Sequence, residues 1–99
     1  MWFTRRSVPE HVPSPKQPRR LALYKYDSCP FCVRVLRRLG QLDLQVELRD
    51  TRRDPQHRRY LQEQTGRTQV PCLFIDEQPL FESADIIAWL EAYAAQAEA

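Results

Sequence analysis

Cys29-Pro30-Phe31-Cys32 stands between a short apolar run, Leu21 to Tyr26, and a segment with helical periodicity. A strand that feeds directly into a helix opened by two thiols leaves few folds available. The run Leu-Ala-Leu-Tyr-Lys-Tyr is short, apolar and β-prone, as a buried strand is. Asp27-Ser28 then supplies side-chain acceptors where a loop turns into a helix, and Pro30 suits the first helical position, where a missing N–H costs nothing. From Cys32 to Leu39, Val33, Val35, Leu36 and Leu39 fall on one face while Arg34, Arg37 and Arg38 lie outward; Gly40 is expected to end the helix. The spacing also carries chemistry. Two thiols one helical turn apart can open and close as a disulfide, and the one nearer the N-terminus meets unpaired N–H groups and the positive end of the helix dipole. Cys29 is therefore the expected nucleophile, with Cys32 its partner, supported by Pro30 and Phe31.

The remaining segments complete an alternating order. Gln45-Val46-Glu47-Leu48 reads as a second strand. Asp54-Pro55 reads as a cap and first-turn proline opening a helix to about Gln64, closed by Gly66. Val70 to Ile75 reads as a third strand with a proline at its beginning, Asp76-Glu77-Gln78-Pro79 as a turn, and Leu80-Phe81 as a short fourth strand. Ser83 is expected to cap a last helix whose buried stripe is Ile86, Ile87, Leu90 and Tyr93, with Trp89 as a further packing residue. The order β-α-β-α-β-β-α predicts an α/β fold. Each βα connection implies a parallel neighbour and the final turn an antiparallel hairpin, giving a four-stranded mixed sheet with helices on both faces.

A chain of 99 residues suffices for one core, and with 42% apolar residues it contains no run approaching the ~18 that a membrane span requires. Its three cysteines are an odd, small set, which points to a reducing compartment, here read as the cytoplasm, rather than to a disulfide-stapled secreted domain. The net charge of +2 is unevenly placed: residues 1–20 carry five basic residues against Glu10 alone, and residues 21–99 carry ten basic and twelve acidic. Residues 1–20, with Pro9, Pro13, Pro15 and Pro18, are expected to form a flexible basic extension, and residues 21–99 the folded domain. Met1-Trp2-Phe3 is too short for a signal-peptide core, and the prolines oppose the amphipathic helix of an organelle transit peptide.

Metal binding is the main competing use of a Cys-x-x-Cys pair. Zinc sites add a second pair or matched histidines, whereas Cys72, His57 and His11 lie scattered, so no metal is expected. Arg34, Arg37, Arg38, Arg52, Arg53, Arg58 and Arg59 are offset by acidic residues and lack interleaved aromatics, so they read as solvated helix faces and no nucleic-acid partner is expected. Cys72 reads as a buried apolar side chain. Val70-Pro71 is expected to be a cis bond beside the cysteines that turns the Val70 N–H and C=O outward toward a bound peptide. Glu82-Ser83-Ala84-Asp85 opens the last helix. Its N–H groups and the Ser83 hydroxyl suit a carboxylate, and Glu82 or Asp85 suits an ammonium group; alternatively Ser83 only caps the helix and Asp85 only complements its dipole.

These motifs together, from Leu23-Tyr24 through Cys29-Pro30-Phe31-Cys32 to Val70-Pro71 and Glu82-Ser83-Ala84-Asp85-Ile86-Ile87, resemble the glutaredoxin family and, equally, the thioredoxin-fold N-terminal domain of glutathione transferases. The resemblance covers about residues 21–94. It implies a thioredoxin-like fold and a glutathione-dependent thiol–disulfide oxidoreductase that takes part in electron transport, with glutathione as co-substrate and no tightly bound cofactor. Disulfide-containing or glutathionylated proteins would be its partners, and the chain a monomer. Under it Cys29 attacks, Val70 pairs with the cysteine backbone of glutathione, Ser83 with Glu82 or Asp85 holds the γ-glutamyl end, and Lys25, Tyr26 and Arg67 are candidates for the glycyl carboxylate. Glutaredoxins usually have Tyr where Phe31 stands, a basic residue where Tyr26 stands, and Gly-Gly before the last helix. Here that last segment is Pro79-Leu80-Phe81-Glu82-Ser83, closer to the transferase pattern. Two other readings accompany it: a non-catalytic glutathione-binding module, and an iron–sulfur protein in which Cys29 and glutathione ligate a cluster across a dimer.

Overall fold

The computed structural model describes residues 8–97, and Met1-Trp2-Phe3 and Arg5-Arg6 of the extension lie outside them. Seven elements follow one another: β1 (Leu21–Lys25), α1 (Pro30–Leu42), β2 (Glu47–Asp50), α2 (Pro55–Thr65), β3 (Cys72–Ile75), β4 (Gln78–Phe81) and α3 (Ser83–Ala97). The strands form one sheet in the order β2-β1-β3-β4. Alternation along the two central strands divides the core. Leu23, Leu73 and Ile75 pack with Val35, Leu39, Ile86, Trp89 and Leu90 of α1 and α3, whereas Ala22, Tyr24, Cys72 and Phe74 meet Leu61 of α2 on the opposite face. The mixed sheet with helices on both faces is thus as expected.

One strand direction departs from expectation. β1 and β2 are parallel across α1, but β3 runs antiparallel to β1, so the second βα connection does not deliver a parallel neighbour. The reason is length. The eleven residues of α2 rise about 16 Å, and residues 66–71, extended, span up to ~20 Å. That suffices to return the chain to the end where α2 began. β3 then enters beside the end of β1, with Tyr24 opposite Cys72, and the hairpin places Phe81 opposite Cys72 on the other side. The end of β1, the start of α1, the start of β3 and the start of α3 consequently share one end of the sheet.

Element limits shift for local reasons. α1 continues through Gly40 to Leu42, and Asp43 takes the left-handed cap (φ 54°) with its N–H on the Gly40 and Leu39 carbonyls. Packing of Leu42 and Leu44 against the α1–α3 core rewards the extra turn, and Asp tolerates the left-handed conformation. The second strand lies at 47–50 because it pairs with residues 22–25, a register that alternation alone does not specify. α2 matches expectation: the Asp54 carboxylate accepts the Gln56 N–H at 2.9 Å, and Gly66 closes the helix at φ 76°. The β3–β4 turn tightens to Asp76-Glu77, both at positive φ (46° and 73°), so Pro79 falls within β4, an edge strand that spares a ladder N–H.

Residues 8–20 form neither helix nor strand, yet they are seated on the domain rather than free of it. Val12 is buried, Trp89 Nε1 donates to the Pro13 carbonyl at 2.8 Å, and the Arg19 N–H donates to the Tyr93 hydroxyl at 3.0 Å. A buried indole N–H requires an acceptor, and a backbone carbonyl of the extension supplies it. Among the described residues no helix is long and apolar enough to cross a membrane.

Candidate active site

Cys29 occupies the N-cap of α1 with an extended backbone (φ −81°, ψ 119°), and its Sγ accepts the Cys32 N–H at 3.3 Å. Its own N–H donates to the Tyr26 carbonyl at 3.3 Å, and its carbonyl accepts from Val33 at 2.9 Å, so the loop and the first turn hold Cys29 from both sides. Both cysteines are thiols, but they are unequal. Cys29 retains 5% exposure and Cys32 none. Burial pushes the Cys32 thiol up to about 12, and the neighbouring Cys29 adds to this against the pull of a Tyr26 backbone hydrogen bond and the Lys25 charge. Cys32 is therefore a protonated thiol at neutral pH. Phe31, between them, is 61% exposed and forms an apolar rim.

Beside this turn the Val70–Pro71 bond is cis, with Pro71 buried and Val70 half-buried. Among the described residues neither the N–H nor the C=O of Val70 pairs with another backbone group outside the ladders. The cap of α3 differs from expectation. The Glu82 carbonyl accepts the Ile86 N–H at 3.0 Å, so Glu82 holds the cap position at φ 72° and Ser83 is the first helical residue. Ser83 is buried, Glu82 exposed and Asp85 half-buried in the first turn.

The three candidates for a carboxylate are placed differently from one another. Lys25 Nζ is engaged within the protein, 2.7 Å from Asp27 Oδ1 and 3.4 Å from Asp50 Oδ2, and those bonds, Asp27 first, raise its pKa against the effect of burial. Arg67 lies over the Phe81 ring at 5.0 Å. Tyr26 lies under a side chain that sequence reading set aside as a solvated helix face: the Arg52 guanidinium carbon is 3.8 Å from the ring centroid, and Arg52 Nη1 donates to Ser28 Oγ at 3.1 Å. The signal available in the sequence was position. Arg52 follows the end of β2, the neighbour of β1, and loops after the ends of parallel strands are where ligands gather in such sheets. Among the described residues no three His, Cys, Asp or Glu side chains gather in a way that could hold a metal ion.

Residues 23–98 match the sequence profile of the family described as glutathione S-transferase, N-terminal domain. The chain belongs to that family. A search of curated protein sequences finds no significant match. Among solved structures, a wheat glutaredoxin superimposes with a TM-score of 0.61 at 25% identity, covering 76% of this chain and 78% of that one. A glutaredoxin from Brucella melitensis gives 0.56 at 25%, with 73% and 78% covered. The holo form of glutaredoxin C1 from Populus tremula x tremuloides gives 0.58 at 18%, with 73% and 84% covered, a likeness of fold. The thioredoxin-like fold and the dual glutaredoxin and transferase-domain resemblance expected from sequence are both found.

Proposed function

We propose that this chain is a glutathione-dependent thiol–disulfide oxidoreductase acting on glutathionylated or disulfide-bonded proteins. The observation that carries the reading is the inequality of the two thiols: Cys29 Sγ sits on a helix N-terminus accepting a backbone N–H, while Cys32 is buried as a protonated thiol. In the proposed reaction the Cys29 thiolate attacks the glutathione sulfur of a mixed disulfide. A Cys29–glutathione disulfide forms, and the substrate thiolate leaves and takes a proton from water. A second glutathione thiolate then attacks the glutathione sulfur of that intermediate, which returns the Cys29 thiolate and releases oxidised glutathione. The structural neighbours named glutaredoxin support the class of reaction, and the transferase-domain family supports glutathione as the ligand.

In this reading Val70 pairs its backbone with the cysteinyl part of glutathione, and Ser83, Glu82 and Asp85 at the start of α3 receive the γ-glutamyl end. Resolution by Cys32 is slower at neutral pH, because burial favours its thiol form. Reduction of a glutathionylated peptide, followed with glutathione and its reductase, tests the assignment. Turnover by the parent and none by Cys29→Ser supports it, and equal turnover by both sinks it. The transferase-domain family match favours a second reading, a glutathione-binding module without turnover. Tight glutathione binding by a parent protein that reduces no mixed disulfide would select that reading instead.

A further inference from the structure

The two edges of the sheet differ in what they offer to a further strand. The Asp76-Glu77 hairpin is closed by Ile75 and Gln78, which leaves Pro79 facing outward from β4, and a proline takes a donor away from that edge. β2 lies at the other end of the order β2-β1-β3-β4, contains no proline, and has β1 as its one neighbour among the described residues. Its side chains alternate between two faces. Leu48, 49% exposed, continues an apolar groove of about 330 Å³ formed with Leu36, Gly40, Leu44 and Val46 on the α1 face. Glu47 and Arg49 lie on the opposite face. Arg49 Nε donates to Glu47 of its own strand and Nη1 to the Tyr24 hydroxyl, which leaves donors of the guanidinium fork for a further carboxylate. Glu47 is itself exposed.

We propose that the β2 edge is a self-association surface, on which two copies of this chain pair β2 with β2 antiparallel about Leu48 and join their sheets into one. A two-fold axis normal to the sheet gives such a pairing and sets like faces level with each other. Centred on Leu48, it places Glu47 opposite the partner's Arg49, Arg49 opposite the partner's Glu47, and Leu48 opposite the partner's Leu48. Centred on Glu47, Arg49 or Asp50, it sets like charges face to face, which opposes pairing. One register is thus favoured and the other three within the strand are disfavoured. A monomer is what the glutaredoxin resemblance implies; the chemistry of this edge instead favours a reversible dimer. Antiparallel pairing sends the two Cys29 ends in opposite directions, so both sites stay open, and the inference does not depend on the proposed activity.

Sedimentation equilibrium of the full chain from about 1 to about 200 µM tests this, with excess thiol reductant present so that no disulfide links the copies. The weight-average mass of the parent is expected to climb from 11.8 kDa toward twice that value. Leu48→Lys sets two ammonium groups opposite each other at an exposed position and is expected to hold the monomer mass throughout. Glu47→Arg and Arg49→Glu each turn both cross-strand pairs into like charges, and each is expected to weaken the dimer about tenfold. Mixed in equal amounts, these two variants recover opposite charges at both pairs, so the mixture is expected to regain the parent's mass. Circular dichroism of each variant first establishes that it is folded; should Arg49→Glu, which loses the Tyr24 bond, fail that check, the Leu48→Lys comparison decides alone. A parent that stays at 11.8 kDa over the whole range overturns the proposal. So does a dimer that persists in Leu48→Lys, since its contact would lie on another surface. A mixture of folded charge variants no heavier than its components overturns the Leu48-centred register and the proposal with it.

Discussion

The backbone N–H of Cys32 donates to Cys29 Sγ at 3.3 Å, so the helix that carries both thiols serves the first and buries the second. One N–H at a helix start is a fixed donor aimed at the sulfur that attacks in the proposed reaction. Cys32 has no matching exposure, and its thiol is pushed up to about 12, first by burial. The expected outcome is a division of labour. Cys29→Ser reduces turnover of a glutathionylated peptide to background, and Cys32→Ser retains it within about threefold, because glutathione resolves the intermediate. Reduction that depends on Cys32 instead of glutathione, with an intact protein disulfide as substrate, should accelerate as pH rises from 7 to 9. Stopped-flow measurement of both substrates across that range checks the contrast.

Cys72 stands opposite Tyr24 and Phe81 with no exposure, and burial pushes its thiol from an ordinary 9.0 up to about 12. The raised value means the folded protein holds the proton more tightly than the unfolded chain. Its contribution is whole below pH 9 and lost as pH rises toward 12, at up to about 1.4 kcal/mol per pH unit. Cys72→Ala is expected to cost about 1 kcal/mol at pH 7 through lost packing. It also removes this alkaline decline, so urea unfolding curves of parent and variant should converge near pH 10. A constant difference from pH 7 to 10 would show that Cys72 does not titrate in this way.

The helix starts were legible because their signals are local: Pro30 stands at the first helical position, Asp54-Pro55 combines a cap with a first-turn proline, and Gly66 supplies its own left-handed cap. The acceptor at the start of α1 is Cys29 Sγ rather than the Asp27 or Ser28 side chain that the sequence suggested. Features that depend on register or on unpatterned backbone were not legible. The contact between Arg52 and Tyr26 exists because Lys25 pairs with Asp50, which sets the loops after β1 and β2 side by side. Alternation with a period of two does not say which four residues of the second strand pair. The bond from Trp89 to the Pro13 carbonyl has no periodicity to reveal it, and a proline-rich segment reads as flexible whether or not a buried indole needs its backbone. At the end of α1 a glycine that stops many helices was outweighed by apolar residues beyond it, with Asp43 able to take the cap.

Asp76 ties the extension to the β3–β4 turn. Its Oδ1 accepts the Arg20 N–H at 2.7 Å, its Oδ2 lies 3.1 Å from Arg19 Nη1, and its own N–H donates to the Arg20 carbonyl at 2.9 Å. The Arg20 N–H, foremost, and the Arg19 guanidinium hold the carboxyl below its ordinary 3.8. A lowered value places the stabilisation above pH 3.8 and removes it as pH falls through the folded value. Asp76→Asn is expected to cost about 1 kcal/mol at pH 7, and the gap from the parent should narrow below pH 4. Trypsin should also cut after Lys16 and Arg19 faster in the variant, since the segment that carries them is less firmly held. Equal cleavage rates would show that Val12, the Trp89–Pro13 bond and the Arg19–Tyr93 bond seat the extension without Asp76.

Glu82 bears a left-handed backbone, φ 72°, at a position that opens α3 and borders the proposed glutathione groove. A side chain in that conformation costs about 1–2 kcal/mol, and glycine escapes it at an entropic cost of roughly half as much. Glu82→Gly is therefore expected to gain about 0.5–1 kcal/mol and raise Tm by about 3–6 °C, whereas Glu82→Ala, which keeps the Cβ, gains nothing. The same pair separates backbone from carboxylate in function. If Glu82 receives the ammonium group of the γ-glutamyl end, both variants raise KM for a glutathione mixed disulfide by a similar factor, although only the glycine variant is stabilised. Thermal unfolding and steady-state kinetics of the two variants side by side check this. A KM that rises in the alanine variant and not in the glycine variant would assign the effect to the backbone and remove Glu82 from the list of glutathione contacts.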